Sequence, residues 1–273
     1  MEKLFLPIDC YKDVISNNSL FYFFSIDLSK KKQKEYLDKY LVSICEGKDS
    51  DSSVDITKTR LKKTFSSKLT KDENDSNWIM GATAELYLHF FMNLLNYKQE
   101  FIYRNLEEKS IKKGFDGIYT DVDNDIWVLE SKSGSNNTKN ISHVGKVREA
   151  YKDLSDKFSG NVEKNLIPND PWENALNHAY RANSIDNIKM KLKKLSDEYV
   201  QEVFHRALDF NIIPCGTIFI MASEKCFTTD INSIKESVDR YINDKEYKKL
   251  IVICSTQDSY NNFLDYIGVA YEN

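Results

Sequence analysis

Proline and glycine are scarce, four and nine among 273 residues, so no long flexible linker divides the chain. No apolar run approaches the roughly 18 residues of a membrane span. The Met1–Cys10 segment is short and carries acids, unlike a secretory leader. Both absences favour the cytoplasm. The five cysteines, Cys10, Cys45, Cys215, Cys226 and Cys254, are odd in number and widely spaced, with no C-x-x-C pair. That pattern argues against a disulfide framework or structural zinc and for free, mostly buried thiols. His89, His143, His178 and His205 lack metal-ligand spacing. Neither a P-loop lysine motif nor a G-x-S-x-G elbow occurs. A net charge of −4 excludes a uniformly basic coat for nucleic acid, while leaving room for a local basic strip.

What is present is ordinary globular composition, 41% hydrophobic and 29% charged, with plentiful Phe and Tyr for a core. The pattern mixes helices and strands. A short strand is expected near Leu4–Ile8, an apolar run at Leu20–Ile26, and a helix from Ser29, as N-cap, to Cys45. Loops are expected at Glu46–Val54 and Asp72–Asn77, on either side of a basic cluster from Lys58 to Lys71. The strongest helix spans Trp78–Leu95, where apolar residues recur at helical spacing. Strands follow at Glu100–Arg104, Gly114–Tyr119 and Asp125–Leu129, the last two a hairpin closed by Asp121–Asn124. After a Gly/Ser/Asn loop at Ser133–Asn140 come a helix at Ser142–Phe158, an irregular stretch around Pro168 and Pro171, and helical pattern from Trp172. A long amphipathic helix over Ile185–Phe210 follows, then a buried-type strand at Gly216–Ala222 introduced by Pro214. A helix at Ser233–Tyr241, a strand at Leu250–Cys254 and a helix at Tyr260–Tyr266 give the end a βαβα alternation.

The residues that carry chemistry cluster around the hairpin. Asp116 heads one strand between Gly114 and Gly117, and fourteen residues later Glu130-Ser131-Lys132 ends an apolar strand. Side chains alternate along a strand, so Glu130 and Lys132 share a face and Ser131 takes the other. Two carboxylates beside an ammonium are costly in a core and make sense around a hard cation. Mg²⁺ prefers oxygen ligands and often uses only one or two carboxylates. Asp116 and Glu130 are therefore the expected metal ligands, with the Ser131 carbonyl as a further oxygen. Lys132 is expected to orient the attacking water, assist its deprotonation or stabilise the phosphorus centre. Glu85, on the strong helix after the small residues Gly81-Ala82-Thr83-Ala84, is the candidate fourth member, with His89 one turn on. The glycines beside Asp116 permit close approach of another chain, a nucleic-acid backbone being one candidate. Asp121, Asp123 and Asp125 open like a calcium loop, but Ile126 and Lys132 stand where Gly and Glu are needed, so a solvated turn is expected. The Lys58–Lys71 cluster, and Lys139, Lys146 and Arg148, are candidate phosphate-tracking positions, and His143 a weaker one.

The set Asp116, Glu130, Lys132, with Glu85 on the preceding helix, resembles the PD-(D/E)XK nuclease superfamily over about residues 78–222. The resemblance implies an α/β fold with a restriction-endonuclease-like core, a mixed central sheet flanked by helices. Residues 1–75 would form an N-terminal extension, and 76–273 the nuclease domain with a C-terminal α/β elaboration. The Q-x-x-x-Y motif of the exonuclease branch is absent after E-x-K, which leaves an Mg²⁺- or Mn²⁺-dependent endodeoxyribonuclease as the implied activity. In size, G-x-x-x-E helix, GFDG segment and long tail the chain is similar to the HamA family of the Hachiman antiphage system and to the related AbpA. That likeness implies a cytoplasmic bacterial defence effector acting on DNA, held in check by a HamB-like helicase partner. Two alternatives stand beside it: a solitary restriction-type endonuclease, and a nuclease fold kept as a silent scaffold. An adjacent helicase or methyltransferase gene separates the first two, and the intact D…E-x-K set argues against the third.

Overall fold

Strand β6 (Ile126–Ser135) feeds two apolar layers at once. Trp127 and Leu129 join one core cluster and Val128 joins the other, as alternation along a strand requires. The computed structural model describes residues 1–69, 73–104, 114–161, 170–221 and 230–270. Lys71, Asp72, Pro168, Ala222 and Cys226, named above, lie outside them.

The other strands are β1 (Glu2–Lys3), β2 (Asp9–Ser16), β3 (Ser19–Ser25), β4 (Lys98–Gln99), β5 (Gly117–Thr120), β7 (Asn211–Ile220) and β8 (Lys249–Asp258). They build one eight-stranded sheet in the order β1-β2-β3-β8-β7-β6-β5-β4. Its centre, β3-β8-β7-β6, is parallel and its flanks are antiparallel. Parallel strands need covered faces, and helices supply both covers. On the first face α1 (Lys31–Glu46), α2 (Val54–Ser66), α3 (Glu73–Leu94) and α8 (Asn261–Tyr266) bury Leu37, Leu61, Leu86, Phe90 and Phe263. On the second, α4 (His143–Phe158), α5 (Pro171–Arg181), α6 (Asp186–Val200) and α7 (Ile231–Ile242) bury Val147, Leu154, Trp172, Leu192 and Val238. The result is a mixed α/β architecture in which β3, from the first quarter of the chain, pairs with β8 near its end. Cys10, Cys45, Cys215 and Cys254 are buried free thiols.

Several elements depart from the sequence pattern. Residues 4–8 are irregular, and the strand is instead Asp9–Ser16, whose polar residues hide its pairing with β3. The basic cluster is mostly helix α2, started by Ser53, whose side chain accepts from Ile56 N. Helix α3 begins at Glu73, inside the expected loop, and α1 starts at Lys31, with Ser29 bonded to Asp27 and not capping. Strand character ends at Gln99, so Phe101–Arg104 is not strand. Strand β5 starts only at Gly117, which leaves Asp116 just outside it, while β6 runs on to Ser135 through part of the expected Gly/Ser loop. Helix α6 stops at Val200, ten residues early, because Glu202 takes a left-handed φ of 60° and the chain turns. Pro214 sits within β7, where the ladder to β8 skips Ile213 and Pro214, a tolerable place for a residue without an N–H. No described helix is long and apolar enough to cross a membrane.

Candidate active site

The hairpin β5–β6 opens at Gly117↔Leu129, and beyond that pair β6 continues without β5. At this fork Asp116 takes the place of a strand neighbour: its Oδ2 accepts the Ser131 N–H at 2.8 Å. Packing fixes Asp116 there. Phe115 is fully buried against Trp172 of α5 and Phe158 of α4, with ring centroids 4.7 and 5.7 Å away. The adjacent glycines serve this same packing. A Cβ on Gly114 would lie 2.9 Å from the Pro171 carbonyl oxygen, and one on Gly117 would lie 2.8 Å from the Tyr119 ring. The close approach is thus made by the protein's own backbone and ring, not by a nucleic acid. Gly81 has open space around it, so its smallness is not what seats α3.

Glu130 and Lys132 point together toward α4. Lys132 Nζ lies 3.0 Å from Glu130 Oε1 and 2.5 Å from Asp153 Oδ2 on that helix. Lys157, one turn beyond Asp153, places Nζ 2.6 Å from Glu130 Oε2 and 3.6 Å from Asp153 Oδ2. Glu130 itself is only 2% exposed. Burial, with Asp116 beside it, pushes its carboxyl well above the usual range, against the pull of Lys157 and Lys132. Asp116 is raised by burial and then by Glu85, with Lys157, the Ser131 N–H and Lys132 acting in the opposite direction. Burial opposes the charge of Lys132, but Glu130 and Asp153 outweigh it and hold the ammonium charged. Asp153 is held well below the carboxylate range despite burial, because Glu130 and both lysines stabilise its anion.

Glu85 enters from the other layer. It is buried on α3, with Oε1 3.8 Å from His89 Nε2, and it acts on Asp116 through its charge. His89 is in turn hydrogen-bonded through Nδ1 to the Tyr119 hydroxyl. Asp116 therefore stands between Glu85 on one side of β6 and Glu130 on the other. Ser131 presents its backbone at the fork between them. Among the described residues, no three His, Cys, Asp or Glu side chains converge as a ready-made metal shell.

The remaining candidates have other tasks. Asp121 Oδ1 accepts from the N–H groups of Asp123 and Asp125 at 3.0 Å each, and its Oδ2 accepts from Trp127 Nε1, so this triplet builds the hairpin turn. His143 is buried, with Nε2 3.1 Å from the Ser255 carbonyl and 3.0 Å from Thr256 Oγ1, and burial pulls its pKa down to about 4. It is a core histidine and not a phosphate contact. Lys58 pairs with Asp38, Arg60 with Glu46 and Lys146 with Glu149, while Lys62 and Lys63 are exposed on α2. Sequence reading passed over Asp153 and Lys157. Their i, i+4 spacing on the helix after E-x-K was the available signal, but such pairs are common on solvated helix faces.

Similarity to known proteins bears on the whole chain. A match of 22% identity over 138 residues links it to the terminase small subunit of Staphylococcus phage 80alpha, covering 50% of this chain and 94% of that protein. Far broader is the match to the family model HamA, which runs from residue 3 to residue 267. The chain belongs to the HamA family.

Proposed function

We propose that this protein is a metal-dependent nuclease that hydrolyses DNA phosphodiester bonds as the effector of a Hachiman-type antiphage defence system, controlled by a helicase partner. Membership of the HamA family supports the defence role. The observation that carries the chemistry is the fork at Leu129. There two carboxylates, the buried Glu130 and the half-buried Asp116, meet beside an ammonium that stays charged. The order α3, β4, β5, β6, α4, β7 supports a PD-(D/E)XK core, with α5 and α6 inserted before β7.

The donor set suits a hard divalent cation. Asp116 and Glu130 offer carboxylate oxygens whose mutual repulsion a dication relieves. Asp116 and Glu130 would hold Mg²⁺ or Mn²⁺, with the Ser131 carbonyl as a further oxygen, while Glu85 would act from the opposite layer through its charge on Asp116. When bound, the ion supplies Lewis-acid activation of water and of the scissile phosphate. The protein's own contribution rests on Lys132. Held between Glu130 and Asp153, its ammonium is placed as a fixed cation that stabilises charge on the phosphate oxygens. Glu130 lies on β6, and Asp116, one residue before β5, is pinned to β6 by the Ser131 N–H, which pre-organises them.

A silent scaffold is the second reading, favoured by the two ammoniums already on Glu130. Plasmid cleavage separates the two. Wild type, Glu130→Ala and Lys132→Ala are incubated with Mg²⁺, alone and with the helicase subunit. Cleavage by wild type only supports the nuclease; identical behaviour of all three under every activating condition overturns it.

A further inference from the structure

Lys157 is the part of the site that the nuclease reading does not require. It reaches in from α4, its side chain is 17% exposed, and it takes Glu130 Oε2 at 2.6 Å while Lys132 takes Oε1. Its Nζ also stands over the ring of Phe115, the residue that anchors Asp116, 5.7 Å from the centroid. A second acceptor waits on its own helix: Asp153 Oδ2 lies 3.6 Å from Nζ. A displacement of about 1 Å would bring Lys157 into full ion-pair contact with Asp153.

Resting on the nuclease reading above, we propose that Lys157 is a built-in competitor of the divalent cation: it neutralises Glu130 until metal binds, then transfers to Asp153. The physical case is one of charge. Glu130, buried on β6, shares Lys132 and Lys157 with Asp153, and the half-buried Asp116 is bonded to the Ser131 N–H beside it. Burying such charges without counter-ions is costly. Lys157 supplies the missing charge from within the chain, and with Lys132 it leaves Glu130 no oxygen free of an ammonium. With Lys157 Nζ 2.6 Å from Oε2 of Glu130, an ammonium and a divalent cation at that oxygen repel each other and compete for it. Metal affinity is therefore set by an exchange, which raises the cation concentration needed to half-fill the site. Asp153 makes the exchange reversible, because a displaced Lys157 would otherwise be left charged and unpaired next to a dication.

The test uses the full chain and reads binding and stability, not cleavage. Mn²⁺ titration calorimetry and thermal melts with and without Mn²⁺ are run on wild type, Lys157→Gln and Lys157→Arg. Lys152→Gln, on the exposed side of α4 and paired with Asp156, is the control. The expected result is crossed. Lys157→Gln melts several degrees lower without metal, binds Mn²⁺ at least tenfold more tightly, and gains more from Mn²⁺ than wild type does. Lys157→Arg keeps the charge and binds Mn²⁺ no more tightly than wild type, which holds the test if the Gln variant folds poorly. The control follows wild type. Mn²⁺ binding by wild type with unchanged or weaker binding by Lys157→Gln, or tighter binding by Lys157→Arg, overturns the competitor while leaving the nuclease reading intact. No Mn²⁺ binding by any variant, or wild-type binding that survives Asp116→Asn with Glu130→Gln, overturns both.

Discussion

Glu100 and Glu130 are both buried glutamates, 0% and 2% exposed, and both touch lysine, yet their surroundings differ in kind. Glu100 follows β4 and gathers donors from three places. Thr120 of β5 donates at 2.8 Å, Lys98 Nζ lies 2.9 Å away, and the Ser184 hydroxyl before α6 donates a short hydrogen bond. Hydroxyls and one ammonium satisfy it and tie three segments together. Glu130 instead faces Asp116 and Asp153 as well as two lysines. A carboxylate ringed by donors fastens a fold. A carboxylate ringed by other carboxylates and exchangeable ammoniums retains charge that a cation can relieve.

The sharpest way to break this contrast is to delete the functional charges. Glu130→Ala or Lys132→Ala is expected to lower plasmid cleavage by the activated enzyme about 10²- to 10³-fold, the scale of losing one stabiliser of transition-state charge. Glu100→Ala should reverse the pattern. It leaves Thr120 and Ser184 without an acceptor, costs about 2–4 kcal/mol of stability in urea melts, and keeps the cleavage rate per folded molecule. A loss of cleavage there without loss of stability would collapse the distinction.

Asp116→Asn is expected to do two opposite things. The amide oxygen can still accept the Ser131 N–H, but the repulsion with Glu85 is gone. Without metal the variant should gain about 0.5–2 kcal/mol at neutral pH while losing cleavage, a trade of stability against function. The sign follows from linkage. Asp116 holds its proton more tightly in the folded chain than its ordinary 3.8, so its stabilising contribution is complete below 3.8 and is lost as pH rises through the folded value. The variant should flatten that decline, and urea melts across the pH range measure it. The smallest effect is expected at Lys193, paired with Asp197 on the exposed face of α6. Lys193→Ala should change stability by no more than about 0.5 kcal/mol in the same melts.

Legibility in the sequence tracked local physics. Helix α3 and helix α4, with Ser142 accepting from Gly145 N at its start, were readable because periodicity and a cap are local signals. The β5–β6 hairpin was readable from Asp121–Asn124 for the same reason. Strand β2 was not, since its burial comes from pairing with β3 and not from its own composition. Helix α6 was overrun because Val203, Phe204 and Ala207 continue an apolar spacing past the turn at Glu202.

By itself the sequence determined that Glu130 and Lys132 share a face, because strand alternation depends only on adjacent peptide geometry. It also put Asp116 near them through a hairpin a few residues long. Only the tertiary structure decided what surrounds them. Docking α4 on β6 brought Asp153 and Lys157 onto Glu130, and docking α3 on the opposite side brought Glu85 within reach of Asp116. Those neighbours come from helices packed on opposite faces of one strand, and no local rule of spacing encodes which side chains two such helices aim at the strand between them.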